Sequence, residues 1–300
     1  MSLLDLRRRL KSIRNTQKIT KAMQMVSASK MKKAQDAALA GRPYAVELEK
    51  LIRNLVRSNK VGLQNRFFER RGGSRGKKDT KKILFLFFTA DRGLCGAFNS
   101  NIIRYLYRRE MQPNQEKAIA CIGRKGMQFF KHMGGSVVAE FEGLGDKPSY
   151  LATAPITKLA TDGFLKGEWD EVRLVYNHFV NTMQQEITEK ILLPFTAEVV
   201  EAKVDAAKKE KEKEVEYIFE PSPKAVFDRI LPRYLETIVY QSLLESNASE
   251  QSARMVAMKS ATENAGELMG SLTLEMNKAR QAGITTEILE IVGGAEALAD

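Results

Sequence analysis

The residues best placed to do chemistry gather in one turn. The segment TADRGLCGAF, residues 89–98, follows an apolar run and precedes a helical pattern, which is where a phosphate-cradling loop would lie at the end of a strand. Gly93 and Gly96 would let a ligand approach the backbone, and Cys95 would be a thiol nucleophile near a helix N-terminus. The spacing, however, is not GxGxxG, and no GK[ST] occurs anywhere in the chain. A tight strand-to-helix turn is the simpler reading. His132 and His178 are the two histidines, each isolated in an ordinary context, and nothing marks either as a base for Cys95. Asp162, Glu168, Asp170 and Glu171 cluster around Gly163, Gly167 and Trp169 like a loop that leads into a strand. No HExxH or paired-acid motif is present. Two cysteines, Cys95 and Cys121, cannot build a disulfide scaffold or an all-cysteine zinc site. The expectation is a chain without catalytic residues, cofactor or metal of its own.

The elements that position this turn alternate in type. Residues 82–90 (KILFLFFTA), 118–123, 137–142 and 171–179 read as strands, with helical intervals at 101–110, 125–133 and 156–166. That alternation predicts a central, mostly parallel α/β domain, Rossmann-like, over 83–200. Long helices flank it. Residues 1–60 carry a seam at spacings of three and four: Leu3, Leu6, Leu10, Ile13, Gln17, Thr20, Gln24, Ser27, Met31, Ala34 and Ala38. A second stripe of Ile19, Ala22, Met23, Met25 and Val26 needs a partner beyond the first. Gly41 and Pro43 should kink or interrupt this helix. After Pro232 no proline follows, residues 236–299 read as one helical pattern, and the C-terminal helix is expected over 224–300. Gly266, Gly270 and Gly283 lie inside it, as close helix–helix contact would require. Helices of this length, roughly 80 and 105 Å at about 1.5 Å per residue, do not fit inside a 300-residue globule about 50 Å across. They should project from it and pair with each other. Segments 61–82 and 201–223 read as exposed, charged linkers.

Charge separates the halves. Residues 1–82 hold 23 Lys+Arg against 6 Asp+Glu, a net of +17, whereas the remainder holds 25 against 31, a net of −6. A basic chain invites a nucleic-acid reading, but the stripe Arg7, Arg8, Arg9, Lys11, Arg14, Lys18 and Lys21 lacks interleaved aromatics, and no helix-turn-helix or zinc module accompanies it. No apolar run reaches the roughly 18 residues a membrane helix needs. The basic N-terminus has no apolar stretch behind it, so the chain reads as mature, reduced and cytoplasmic.

Four segments resemble one family. IRNTQKITKAMQMVSASKM (13–31), DRGLCG (91–96), ASEQSARMVAMKSAT (248–262) and NKARQAGITTEILE (277–290), with Gly294-Ala295 beyond, are similar in sequence and order to the gamma-subunit family of F-type ATP synthases. The resemblance spans both long helices and much of the middle. It implies a central rotor shaft whose antiparallel coiled coil rises into a ring of three alpha and three beta subunits, while the α/β domain forms a foot. Such a shaft makes and breaks no bonds. It shifts the nucleotide states of the beta subunits by touching open and closed forms differently.

The same resemblance implies particular contacts. Arg280 and Gln281, with Thr285 and Glu287 nearby, would engage a beta-subunit loop; Met23, beside Lys18 and Lys21, would face the moving acidic helix–turn of beta. Residues 284–298 are mostly small and apolar and would turn in a hydrophobic sleeve. Tyr217 and Glu220, in EYIFEP (216–221), would meet the membrane c-ring. The epsilon subunit would be a further partner, and the location would be peripheral, on the cytoplasmic face of a bacterial inner membrane. The reading in a different class is a coiled-coil tether with an α/β head that assembles some other complex. A Cys95-directed enzyme is a third.

Overall fold

The computed structural model describes residues 2–57, 66–68, 81–110, 115–145, 148–195 and 220–297. Two long helices, α1 (Leu3–Arg57) and α5 (Pro223–Ala297), bracket β1 (Lys81–Phe88), α2 (Phe98–Glu110), β2 (Gln115–Ile122), α3 (Arg124–His132), β3 (Val137–Phe141), α4 (Tyr150–Lys166), β4 (Glu171–Phe179) and β5 (Gln185–Leu193). The chain forms two compact units: Met1–Ser29 with Arg254–Asp300, and Lys30–Ala253.

The larger unit is built on a five-stranded sheet in the order β3-β2-β1-β4-β5. β1 pairs in parallel with β2 and β4, β2 in parallel with β3, and β5 lies antiparallel on β4. β1 is central, so both of its faces are covered, and this is why it reads as an unbroken apolar run. Leu84, Leu86 and Phe88 enter a core with Ile156, Ala160 and Phe164 of α4, Leu231, Leu235 and Val239 of α5, and Leu48 and Ile52 of α1. Ile83, Phe85 and Phe87 point the other way, toward Ile102 and Leu106 of α2 and Phe130 of α3. This alternation is the two-residue period of a pleated strand.

Four strands and three helices fall where the sequence places them, whereas β5 is an addition. Its sequence, QEITEKILL, is only partly buried along most of its length because it is an edge strand. Two further expectations change. α1 is continuous through Pro43. There Gln241 donates its Nε2 hydrogen to the Ala38 carbonyl at 3.2 Å, next to the Leu39 carbonyl that proline leaves without a donor. α5 starts at Pro223, one residue before the expected 224, and runs through Pro232. Proline suits a first helical position, and Ser222 caps the end by accepting from the Ala225 N–H at 3.3 Å. Part of the first linker is also packed rather than exposed. Phe67 stacks on Phe164 with centroids 6.4 Å apart, Phe68 stacks on Phe227 at 5.4 Å, and Lys81 and Lys82 already belong to β1.

The smaller unit pairs the start of α1 with the last part of α5. Thr20 Oγ1 and Thr262 Oγ1 share a hydrogen bond of 2.8 Å, and Gln17 Nε2 donates to the Thr262 carbonyl at 3.3 Å. Gln17 also faces Gly266, so the lower number on α1 meets the higher one on α5 and the pairing is antiparallel. Leu6, Thr20 and Ser27 are buried, and Leu3, Leu10, Ile13, Gln17 and Gln24 are partly buried. That is the sequence seam, position for position. Of the three helix glycines expected to mark close contact, Gly266 does so; a Cβ at Gly270 or Gly283 would meet nothing within 4 Å.

Candidate functional site

The turn after β1 is closed by its own hydrogen bonds. Asp91 accepts from the backbone N–H of Arg124 at 3.1 Å and of Gly143 at 3.0 Å. Asn99 Oδ1 accepts from Ala90 N–H at 3.0 Å, and its Nδ2 donates to Cys95 Sγ at 3.2 Å. Thr89 Oγ1 accepts from Gly126 N–H at 3.0 Å. A Cβ at Gly123, where φ is +107°, would lie 2.0 Å from the Thr89 carbonyl oxygen. Asp91, Thr89 and Asn99 thus spend their acceptors on tying the turn to the segments after β2 and β3 and to α2. Cys95 is buried with Ala90 and Phe98. His178 Nδ1 pairs with Glu245 at 2.7 Å, and His132 closes α3.

Two of the clustered carboxylates, Asp170 and Glu171, are likewise structural. Asp170 accepts from Lys82 N–H at 2.8 Å, and Glu171 pairs with Lys81 and Arg173. Glu189 joins Arg173, Arg109 (3.1 Å) and the Tyr105 hydroxyl (2.6 Å). Burial pushes the Glu189 carboxyl up, but hydrogen bonds from Tyr105 and Arg173, with both arginine charges, leave it below the ordinary glutamate value. Burial raises the Tyr105 and Tyr176 phenols, with Glu189 and Glu245 respectively adding to it. Among the described residues, no group of three or more His, Cys, Asp or Glu could hold a metal ion, and no helix is long and apolar enough to cross a membrane.

The surface with unmet demands lies in the smaller unit. Counting outward from the Thr20–Thr262 contact, Leu3 stands opposite Ala279, and Ala279 is the last partly buried residue of α5 among those described up to Val292. From Arg280 to Val292 every residue is exposed. This stretch includes Ile284, Ile288, Leu289, Ile291 and Val292, the last four between 55% and 72% exposed. On α1, Ile19, Met25 and Val26 are 55–61% exposed. Most of the second apolar stripe is thus left uncovered among the described residues. Isolated apolar residues on a surface are ordinary, but a stripe on each of two paired helices marks an interaction face.

The residues implied by resemblance fall in two bands. Lys18 and Lys21 are exposed and Met23 is half-buried on α1. Arg280, Gln281, Thr285 and Glu287 are all exposed on α5, where Thr285 Oγ1 donates to the Gln281 carbonyl at 2.9 Å. The bands lie roughly 25 Å apart along the helix axis, since Arg280 is 18 residues beyond Thr262. The structure therefore does not gather them into one pocket. Glu220 is exposed just before α5, whereas Tyr217 lies outside the described residues, as do most of segments 64–82 and 203–216. The Asp91 clamp was not anticipated as a structural tie; an acid placed at the end of a buried strand, inside a glycine turn, is the signal that would have suggested it.

Comparison with known proteins is consistent along the whole chain. The family model described as ATP synthase matches residues 2–298. An ATP synthase gamma chain from Pelotomaculum thermopropionicum is 45% identical over 297 residues, covering 99% of each chain. One from Dehalococcoides mccartyi is 45% identical over 295 residues, covering 98% of each. Among solved structures, the central stalk and c-ring of the Tetrahymena thermophila mitochondrial ATP synthase includes a chain with 26% identity and a TM-score of 0.59, covering 81% of this chain and 99% of that one. A chain of the Euglena gracilis mitochondrial enzyme, at 19% identity and a TM-score of 0.65, covers 99% of this chain and 94% of that one and shares the fold.

Proposed function

This chain belongs to the gamma-chain family of ATP synthases, and we propose that in such a complex it is the asymmetric shaft that couples ion flow through a membrane rotor ring to the nucleotide states of the catalytic beta subunits. It is a non-catalytic subunit of a peripheral membrane complex. Its partners are the alpha and beta subunits, the epsilon subunit and the c-ring. The observation that carries the reading is the unbroken exposure of Arg280–Val292, beyond Ala279 on α5. A bare helix with exposed Ile284, Ile288, Leu289, Ile291 and Val292 requires surrounding protein.

Arg280 and Gln281, with Thr285 and Glu287, engage one beta-subunit loop; Met23, Lys18 and Lys21 face the moving acidic segment of another. A cation facing an acidic loop at one rotational angle and withdrawn from it at the next has different energies in the two states, and only such a difference shifts an equilibrium. The apolar tip offers few charges that could pin the shaft at fixed angles. Tyr217 and Glu220 meet the ring at the other end. The complex sits on the cytoplasmic face of a bacterial inner membrane. The test is co-expression with alpha and beta subunits, followed by native mass measurement and ATP-driven ion pumping in inverted vesicles. An assembly with three copies each of alpha and beta, and pumping reduced several-fold by Arg280→Ala with Gln281→Ala, supports the reading. Absence of assembly, or unchanged pumping, overturns the shaft role or the contact assignment respectively.

A further inference from the structure

We propose that Gln17, Thr20 and Thr262, with Gly266 as their notch, fix the axial register between α1 and α5 in the smaller unit, and so act as positioning residues for the two contact bands. The register itself is a property of this chain; its consequence for coupling rests on the shaft reading above.

The apolar part of the seam discriminates poorly between registers. Leu3, Leu6, Leu10 and Ile13 on α1 face the part of α5 that carries Met269, Leu272 and Met276, where methionine adapts to whatever it meets. Further along, α5 offers Ala261, Ala265 and Gly266, which give little relief for a knob to catch. The directional contacts are polar. Thr20 Oγ1 meets Thr262 Oγ1 at 2.8 Å, with Thr20 92% buried. Each hydroxyl also reaches a carbonyl of its own helix: Thr20 that of Gln17 at 3.0 Å, Thr262 that of Met258 at 2.7 Å. With one hydrogen per hydroxyl, the pair forms a short chain that runs in either direction and ends on one of those carbonyls.

The second contact depends on a missing side chain. A helical carbonyl accepts from the N–H four residues on, and the side chain at that position ordinarily shields it. For Thr262 that position is Gly266, where a Cβ would stand 3.3 Å from Gln17 Nε2. The glycine therefore opens the Thr262 carbonyl to a second donor, and Gln17 Nε2 supplies it at 3.3 Å. Between Arg254 and Val292 a hydroxyl residue followed four positions later by glycine occurs once, at Thr262 and Gly266. A slip of one turn or one heptad thus loses both cross-helix bonds with no equivalent site to replace them. A polar pair on a coiled-coil seam that selects register at some expense of stability is an established device. Here, one heptad of slip would move Lys18, Lys21 and Met23 about 10 Å relative to Arg280 and Gln281.

The test measures register directly. Nitroxide labels on cysteines introduced at Arg7 and Lys259, both exposed and offset by roughly 24 Å along the helix axis, report one distance distribution by double electron–electron resonance in the assembly with alpha and beta subunits. With Gln17→Leu, Thr20→Val and Thr262→Val combined, the expected result is a broadened or two-component distribution, displaced by about 5–10 Å, one turn to one heptad. ATP-driven pumping should fall several-fold while ATP hydrolysis stays within about twofold. Thr262→Ser, which keeps the hydroxyl, should retain the parent distribution and pumping. A triple variant whose distribution superimposes on the parent overturns the proposal, as does lost pumping without any change in distance. If the triple variant does not assemble, Thr262→Val alone is judged by the same criterion. If the parent chain itself fails to assemble, the shaft reading falls, and the same labels on the isolated full chain decide the register.

Discussion

Asp91 and Arg124 are joined by a 3.1 Å hydrogen bond from the Arg124 backbone N–H to the Asp91 carboxylate, and the same carboxylate holds Gly143 N–H at 3.0 Å. One side chain thus ties together the segments that follow β1, β2 and β3. Asp91→Ala should destabilise the chain by about 2–3 kcal/mol, because two backbone donors lose a charged acceptor. Thermal or denaturant unfolding of the isolated chain checks this. An unchanged midpoint would show that water replaces the carboxylate at no cost.

Glu189 provides a pH dependence with a defined sign. Its folded-state carboxyl titrates below the ordinary glutamate value of 4.5, burial being outweighed by Tyr105, Arg173 and Arg109. A group of this kind contributes stability that is present above its unfolded value and is lost as the pH falls through the folded one. Glu189→Gln should therefore lower stability at neutral pH and flatten its decline on acidification below about pH 4.5. Urea titrations across that range measure both effects. Parallel acid profiles for parent and variant would exclude Glu189 as a source of the acid sensitivity.

Pro43 should be removable with a gain. It is exposed, lies inside α1 and deprives the Leu39 carbonyl of its helical donor. Pro43→Ala should raise stability by about 1–3 kcal/mol, less than the full interior proline penalty, since Gln241 already donates to the neighbouring Ala38 carbonyl. Denaturant midpoints give the answer. A fall in stability would mean that the helix requires the proline's local geometry.

Stability and function should separate at the tip of α5. Ile288 is 55% exposed, so Ile288→Lys should change the stability of the isolated chain by no more than about 0.5 kcal/mol. Inside an apolar sleeve the added charge would favour some angles over others, and rotation in the assembled complex should show new pauses or reduced torque. Smooth rotation with the lysine in place would argue against an apolar environment around this segment.

The strands β1 to β4 were legible because their signal is local. KILFLFFT is apolar at consecutive positions, and a central parallel strand is the one setting that buries both faces. β5 was not, because Glu186, Thr188 and Lys190 alternate into an edge strand whose polarity resembles that of a loop. α5 continues through Pro232, whose ring meets solvent on an exposed face. The contact residues on Arg280, Gln281 and Met23 were named through resemblance; their periodicity alone shows two helical faces in need of a partner.

By itself the sequence determined that two long helices pair, that a mostly parallel sheet lies between them, and that the turn at 89–98 holds no recognisable catalytic motif. Each of these follows from periodicity or residue type within a short window. The tertiary structure decided what those windows cannot contain. It showed that Asp91, Thr89 and Gly123 close the turn on itself, because their partners Arg124, Gly126 and Gly143 are more than 30 positions away in the chain. It also showed that Thr20 meets Thr262 across 242 positions. A heptad pattern is unchanged when one helix slides by seven residues, so the seam could be read from the sequence while its register could not. The register then places Leu3 opposite Ala279 and leaves Arg280–Val292 exposed beyond it.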